Sequence, residues 1–182
     1  MVHSDGVLSV DQYLAGPEEM RHAELVWGTV LREPAPRWGH QVIVKRVTVI
    51  LDAHVRTRGL GVVGVSPVDV VLDRAKFLIL QPDLVFVSSE RQHIIKDQVW
   101  GPPDLVVEVL SRRTAQRDRA VKAVWYRDYG VKEYWLIDPD AYEVTVLDFA
   151  AAPQTARTFR NEDVVVSSVL PDLKEKAAQF FN

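Results

Sequence analysis

The feature that most constrains the fold is the apolar segment at residues 105–110, Leu-Val-Val-Glu-Val-Leu, which follows a pair of prolines. A short run rich in valine and bounded by turn residues is typical of a strand that is covered on both faces. Glu108 lies in the middle of this run. An ionised carboxylate without a partner costs several kcal/mol in such surroundings. Glu108 therefore requires a cation, a metal ion or a proton.

The patterns around this strand predict an α/β (α+β) fold in which a mixed central sheet is flanked by helices, with an N-terminal helix and β-hairpin. The predicted helices cover residues 9–16, opened by a capping box at Ser9 and Gln12, residues 38–58, ended by Gly59, and residues 114–129, ended by Gly130. The predicted strands cover residues 23–27, 29–32, 60–65, 68–73, 77–87, 104–110, 132–137, 143–149 and 164–166, with a loop at 150–157. At 182 residues the chain suits one domain, residues 1–182.

Two aspartates that each follow a proline, Asp83 and Asp104, are candidates to share a metal ion with Glu108. Asp104 lies four residues earlier on the same strand, which at ~3.3 Å per residue is roughly 13 Å and too far for one small ion. Asp83 begins a different strand, and neighbouring strands lie only about 4.8 Å apart. The spacing therefore predicts that Asp83 and Glu108 meet at Mg²⁺, whereas Asp104 is interpreted as a structural residue at a strand start.

The helix after the Glu108 strand carries Lys122 on one face with Asp118 and three aromatic residues. An ammonium group beside a metal-bound water can orient that water or stabilise charge on a phosphoryl group. Spacing alone instead favours an exposed ion pair between Asp118 and Lys122, four residues apart on a helix. Residues 111–122 hold five basic residues against one acidic residue, which indicates either phosphate contacts or a solvated helix face.

Composition and charge exclude several classes of protein. The net charge of −3 argues against a protein that coats nucleic acid by charge alone. The absence of cysteine excludes disulfides and thiolate metal sites. The first six residues lack the features of a secretory signal, and no apolar run approaches the ~20 residues of a membrane helix. We therefore expect a cytoplasmic protein without a membrane partner.

Four segments resemble the Uma2 (DUF820) family of restriction-endonuclease-like proteins. They are QPDLVFV at 81–87, PDLVVEVLS at 103–111, DRAVKAVWY at 118–126 and GVKEYWLIDP at 130–139. A weaker likeness at residues 22–28 and 38–40 extends the resemblance over most of the chain. The resemblance implies a PD-(D/E)xK nuclease core that binds Mg²⁺ or Mn²⁺ through two carboxylates, with a lysine beside the hydrolytic water.

Carried over to this chain, the resemblance implies that Asp83 and Glu108 are the acidic metal ligands, assisted by the backbone carbonyl of Val109. The superfamily pattern places its lysine two residues after the glutamate, where this chain has Leu110. The family replaces that lysine with one from the following helix, which corresponds to Lys122. Lys122 is therefore the third expected catalytic residue.

Further residues are expected around the same cleft. The resemblance implies that Glu24 adds an acidic group and that His40 lines the cleft. Arg112, Arg113 and Arg117 are candidate contacts to phosphate, which would bind the nucleic-acid backbone without recognising its sequence.

The expected activity is Mg²⁺-dependent hydrolysis of phosphodiester bonds in nucleic acid, with DNA as the preferred candidate. One small site cuts one strand, so cleavage of a duplex favours a homodimer. Two alternatives remain open at this point. The chain is either a catalytically silent nuclease fold that serves as a binding or assembly module, or a metallohydrolase of small phosphate esters.

Overall fold

The computed structural model describes residues 7–17 and 22–182. Its strands are, in chain order, β1 Ala23–Val26, β2 Thr29–Arg32, β3 Gly61–Val65, β4 Val70–Asp73, β5 Leu78–Leu80, β6 Leu84–Ser88, β7 Val99–Trp100, β8 Leu105–Val109, β9 Glu133–Asp138, β10 Glu143–Asp148 and β11 Thr155–Arg160. The helices are α1 Val10–Leu14, α2 Trp38–Arg58, α3 Ala115–Arg117 and α4 Ala123–Asp128, with a π-helical turn Asp118–Lys122 and 3₁₀ turns Ser89–Ile94 and Ala177–Phe180.

The strands form two sheets. The larger has the order β11-β10-β9-β8-β6-β3, and within it only β8 and β9 run parallel. The smaller has the order β2-β1-β5-β4-β7 and includes the predicted hairpin of β1 and β2. The predicted mixed central sheet is the larger one, and β8 lies in its interior with a partner on each side.

Helix α2 covers one face of the larger sheet, as its apolar spacing predicts. Its buried residues recur every three to four positions, and they pack against the sheet: Ile43, Val44, Val47, Leu51 and Val55. The helix ends at Gly59, whose φ of 63° lies in the left-handed region that glycine adopts most readily. The predicted capping box of α1, between Ser9 and Gln12, is also present.

Alternation along β8 decides which way Glu108 points. Leu105, Val107 and Val109 pack into the cluster beneath α2. Val106 and Leu110 belong to the cluster on the other face, which includes residues of α4 and of the smaller sheet. Because side chains alternate between the faces of a strand, Glu108 points to this second face.

The predicted helix at 114–129 is interrupted by the π-helical turn, and three predictions for strands and loops also differ from the structure. The run at residues 77–87 is not one strand, because Gln81-Pro82-Asp83 separates β5 and β6, which belong to different sheets. The predicted loop at 150–157 ends earlier, since β11 begins at Thr155 and pairs with β10. The predicted strand at 164–166 contributes only a bridge between Val164 and Lys176. For residues 77–87 the division follows from pairing with strands distant in the chain, since β5 pairs with β1 and β6 pairs with β8.

No helix in the two described ranges is long and apolar enough to cross a membrane. The first six residues, on which the expectation about a secretory signal rests, lie outside the described part of the chain.

Candidate active site

Glu108 is paired with a cation of the protein itself. The ammonium Nζ of Lys122 lies 2.8 Å from Glu108 Oε1, and the hydroxyl of Tyr126 donates to the same oxygen at 3.2 Å. Both charged side chains are buried, with 2% of the Lys122 side chain and 5% of the Glu108 side chain exposed. The sequence requires a cation, a metal ion or a proton as the partner of Glu108. In the structure this partner is a cation, the ammonium group of Lys122.

Lys122 is held by two further carboxylates. Its Nζ lies 2.9 Å from Glu24 Oε1, which comes from β1 of the smaller sheet, and 3.5 Å from Asp118 Oδ1 on its own helix. Asp118 and Lys122 are the first and last residues of the π-helical turn, and both are buried. Such turns are rare and are found frequently at functional sites. The interpretation of Asp118 and Lys122 as an exposed pair is therefore wrong, because the pair lies in the interior.

Asp83 lies opposite Glu108 across the two neighbouring strands. The register pairs Leu84 with Val107, and one further step places Asp83 opposite Glu108. Asp83 Oδ2 accepts a hydrogen bond of 2.7 Å from the backbone N–H of Val109, and Oδ1 lies 3.1 Å from Nε2 of His40. His40 belongs to the first turn of α2, so the start of that helix places the imidazole beside Asp83.

The three arginines expected to bind phosphate have different surroundings. The Arg117 guanidinium lies 2.6 Å from Glu24 Oε2 and contacts Glu33 at 3.4 Å, so it neutralises carboxylates in the folded chain. Arg112 is exposed and pairs with Asp140 at 3.1 Å. Arg113 is exposed and makes no ion pair with the described residues.

The cluster carries more negative than positive charge. Four carboxylates, Glu24, Asp83, Glu108 and Asp118, surround two permanent cations, Lys122 and Arg117. One Asp118 oxygen, Oδ1, is buried without a hydrogen bond. An excess of buried negative charge favours the uptake of a cation or a proton.

Burial and the charges of this cluster together shift the pKa values of Glu108 and Lys122. Burial is the largest cause that raises the pKa of Glu108. Lys122 opposes the rise, while Asp118, Asp83 and Glu24 add to it. Burial disfavours the charged form of Lys122, but the carboxylates of Glu108, Glu24 and Asp118 outweigh it and raise the Lys122 pKa further above its ordinary value. Lys122 is therefore firmly protonated, whereas Glu108 takes up a proton more readily than an ordinary glutamate does.

The donor set fits a hard divalent cation such as Mg²⁺. Asp83 and Glu108 provide carboxylate oxygens at the same point of the sheet, and Glu108 Oε2 has no hydrogen bond to any described residue. Mg²⁺ is usually held by one or two carboxylates and completes its shell with water. Within residues 7–17 and 22–182, no three His, Cys, Asp or Glu side chains are arranged to hold a metal ion. A bound ion would therefore depend on these two carboxylates together with backbone, water or substrate oxygens.

Asp104 lies at the opposite end of β8 from this cluster. It accepts hydrogen bonds from the Ser88 N–H at 2.8 Å and from Arg91 at 3.1 Å, and it pairs with Lys132 at 2.7 Å. Burial opposes its ionisation, but the bonds from Lys132, Ser88 and Arg91 outweigh burial and lower its pKa. These contacts favour the structural interpretation of Asp104.

We expect Asp104→Asn to lower the free energy of unfolding by about 1.5–3 kcal/mol at pH 7, because hydrogen bonds to a charged group are lost. The folded-state pKa of Asp104 is below its unfolded value, near 4. Its contribution is therefore present above pH 4 and is lost as the pH falls through the folded-state pKa. Urea unfolding at several pH values measures this difference. A loss that stays constant down to the lowest pH would contradict an electrostatic origin.

Tyr126 was not predicted to take part in the site, although it contacts Glu108 directly. The signal available in the sequence was its position four residues after Lys122, on the same helical face. The hydroxyl of Tyr134 also lies in the cluster and donates to the backbone carbonyl of Asp118 at 3.3 Å. Apolar spacing alone predicts both tyrosines to be core residues, so only the tertiary contacts reveal their polar partners.

Comparison with known proteins gives two findings. The chain matches the model of the Uma2 family, described as "Putative restriction endonuclease", over residues 10–178. Its structure is similar to a crystal structure from Anabaena variabilis ATCC 29413, described as a "putative nuclease belonging to DUF820", with a TM-score of 0.79 and 20% sequence identity over 96% of this chain and 97% of that chain. No curated protein matches the sequence. At this identity the structural likeness shows the fold, and it confirms the predicted fold class.

Proposed function

Since the chain belongs to the Uma2 family, we propose that it is a metal-dependent nuclease that hydrolyses phosphodiester bonds, with DNA as its substrate. The observation that supports this function best is the meeting of Asp83 and Glu108 across neighbouring strands, with the Lys122 ammonium 2.8 Å from Glu108. Two carboxylates and a cation at one point of a sheet can bind a metal ion and a phosphate together.

Asp83, Glu108 and the backbone carbonyl of Val109 would hold Mg²⁺ or Mn²⁺. The ion would polarise a phosphate oxygen and lower the pKa of the attacking water. The chain's own residues have separate tasks. Lys122 orients the water or stabilises charge that develops on the phosphoryl group. His40 and the Val109 N–H fix the position of the Asp83 carboxylate.

The surrounding residues support these tasks. Glu24 binds both Lys122 and Arg117, so we assign it the accessory role of holding the two cations in place. Arg112 and Arg113, which are exposed next to the cluster in sequence, are the proposed phosphate contacts. The Arg117 guanidinium could contact phosphate only after its ion pair with Glu24 is broken. A homodimer would provide a second active site for the second strand of a duplex.

One observation favours the alternative of a catalytically silent binding module. Lys122 and Tyr126 already satisfy one oxygen of Glu108, so the fold does not require a metal ion to neutralise that carboxylate. In such a protein the cluster would be a structural ion-pair network. Cleavage assays distinguish the two functions directly.

The test is incubation of supercoiled plasmid and of single-stranded DNA with Mg²⁺ or Mn²⁺. We expect cleavage of at least one DNA form in metal and none in EDTA. Asp83→Asn should be inactive, although the amide oxygen can still accept the Val109 N–H. Asp104→Asn, at the start of β8 and away from the cluster, is the matched control and should cleave as wild type does. The absence of cleavage of any DNA or RNA form in either metal would leave the binding module as the better function.

A further inference from the structure

Strand β3, Gly61–Val65, is an edge strand of the larger sheet and contains no charged residue. The other edges of the two described sheets are protected by devices that natural proteins commonly use, namely charge and short length. Edge strand β11 carries Arg157 and Arg160, β2 carries Arg32, and β7 is only two residues long. Because β3 has neither kind of protection, its outer edge is a template for pairing with a further strand.

The backbone groups of every second β3 residue point to this outer edge. At one end of the ladder with β6 the Ser89 N–H donates to the carbonyl of Leu60 at 2.8 Å, and at the other end the Ser66 N–H donates to the carbonyl of Asp83 at 2.9 Å. Since backbone groups alternate between the two sides of a strand, the even-numbered residues of 60–66 bond towards β6. The odd-numbered residues 61, 63 and 65 face outwards. No other strand in the described part of the chain pairs with this side of β3.

The side chains of β3 divide between the two faces of the sheet. Val63 packs against the cluster beneath α2, so alternation places Gly61 and Val65 on that face. Val62 and Gly64 lie on the other face. The side chains of Val62 and Val65 remain exposed, at 40% and 46% accessible to solvent. Each face therefore combines an exposed valine with a glycine, which presents no side chain to an incoming strand.

We propose that β3 pairs antiparallel with β3 of a second copy of this chain, about a two-fold axis at Val63. Full overlap of the five residues sets Val63 opposite its own counterpart, Val62 opposite Gly64, and Val65 opposite Gly61. In this register the outward-facing residues meet one another, so the two strands exchange backbone hydrogen bonds. Each exposed valine lies across from a glycine of the other copy. Such a self-complementary patch is what the two-fold symmetry of a homodimer requires.

This pairing joins two six-stranded sheets into one continuous sheet. The two-fold axis is perpendicular to the joined sheet, so the candidate active sites of both copies lie on the same face. Cleavage of both strands of one duplex requires such an arrangement. The interface rests on the homodimer of the proposed function and specifies which surfaces meet. The pairing itself does not require cleavage, so dimerisation and cleavage are measured separately.

Sedimentation equilibrium measures the oligomeric state. We expect wild type to have twice the 20.6 kDa mass of one chain. Val62→Lys should raise the dimer dissociation constant about tenfold or more, because the two like charges lie diagonally across the axis, with backbones roughly 7–8 Å apart. Leu31→Lys is the matched control, since Leu31 is 38% exposed and lies on β2, an edge strand of the smaller sheet. It should dimerise as wild type does, and both variants should melt close to wild type.

Cysteine cross-linking tests the register of the two strands. The chain has no cysteine, so a single introduced thiol can form a disulfide only with the thiol of a second copy. At position 63 the two Cα atoms would be about 5.5 Å apart, within the range of disulfides, whereas at position 62 they would be roughly 7–8 Å apart, which is too far. Val63→Cys should therefore cross-link when diamide takes up the two electrons and two protons of the thiols. Val62→Cys should cross-link far less.

The possible results separate this interface from the proposed function. If wild type is monomeric at every concentration measured, the β3 interface is overturned, and cleavage of DNA would still support the nuclease function. The interface is also overturned if Val62→Lys dimerises as tightly as wild type and Val63→Cys does not cross-link. If the dimer forms through β3 but cleaves no nucleic acid, the interface stands and the nuclease function is overturned. A monomer that cleaves nothing overturns both.

Discussion

Lys122→Met is expected to lower the free energy of unfolding by about 3–5 kcal/mol at pH 7, the cost of breaking a buried ion pair by removing one partner. Methionine fills a similar space, so the loss is mainly electrostatic. Without the ammonium, Glu24, Glu108 and Asp118 remain buried, and within the described part of the chain Arg117 is the one permanent cation left in the cluster. Urea unfolding at constant pH measures the loss.

Glu108→Gln is the matched comparison for this prediction. The amide keeps the shape of the side chain and removes one negative charge from a cluster in which carboxylates outnumber permanent cations. Because burial and the neighbouring carboxylates raise the pKa of Glu108, its ionisation costs stability as the pH rises through that value. The variant should therefore be no less stable than wild type at pH 7, and its relative stability should increase with pH. A variant as unstable as Lys122→Met would show that Glu108 is a structural ion-pair member.

Glu108→Gln should nevertheless reduce DNA cleavage by roughly a thousandfold or more, which corresponds to about 4 kcal/mol of lost transition-state stabilisation. Glutamine retains an oxygen but not the negative charge that a divalent cation requires from this position. The measurement is the rate of cleavage in saturating Mg²⁺, with Asp104→Asn as the active control. Cleavage at the wild-type rate would remove Glu108 from the proposed metal site.

Metal titration provides an independent measurement of the same role. A cation that binds only the folded protein stabilises it by about 2.7 kcal/mol at a hundredfold excess over Kd. We expect wild type to melt at higher temperature as Mg²⁺ or Mn²⁺ is added, and Glu108→Gln to lose most of that response. A response of equal size in both proteins would place the metal elsewhere.

Local sequence determined much of what positions the site. The spacing of apolar residues and Gly59 were sufficient to predict α2, because helix periodicity and a left-handed C-terminal residue are local properties. The spacing of strands allowed Asp83 and Glu108 to meet only if their two strands are neighbours, and the pairing of β6 with β8 supplies that condition. The four family segments then assigned Lys122 to the same site, which helical spacing alone would have left at the surface.

Only the tertiary structure decided which charged side chains contact one another. Glu108 points to the face of β8 that is covered by the π-helical turn and the smaller sheet, and these bring Lys122 and Glu24 to it. No local pattern indicates that the run at residues 77–87 divides between two sheets, or that Arg117 is already engaged by Glu24. The physical reason is that the partners of a buried charge come from segments distant in the chain. The periodicity of apolar residues, by contrast, predicts only which side of a helix or strand is buried.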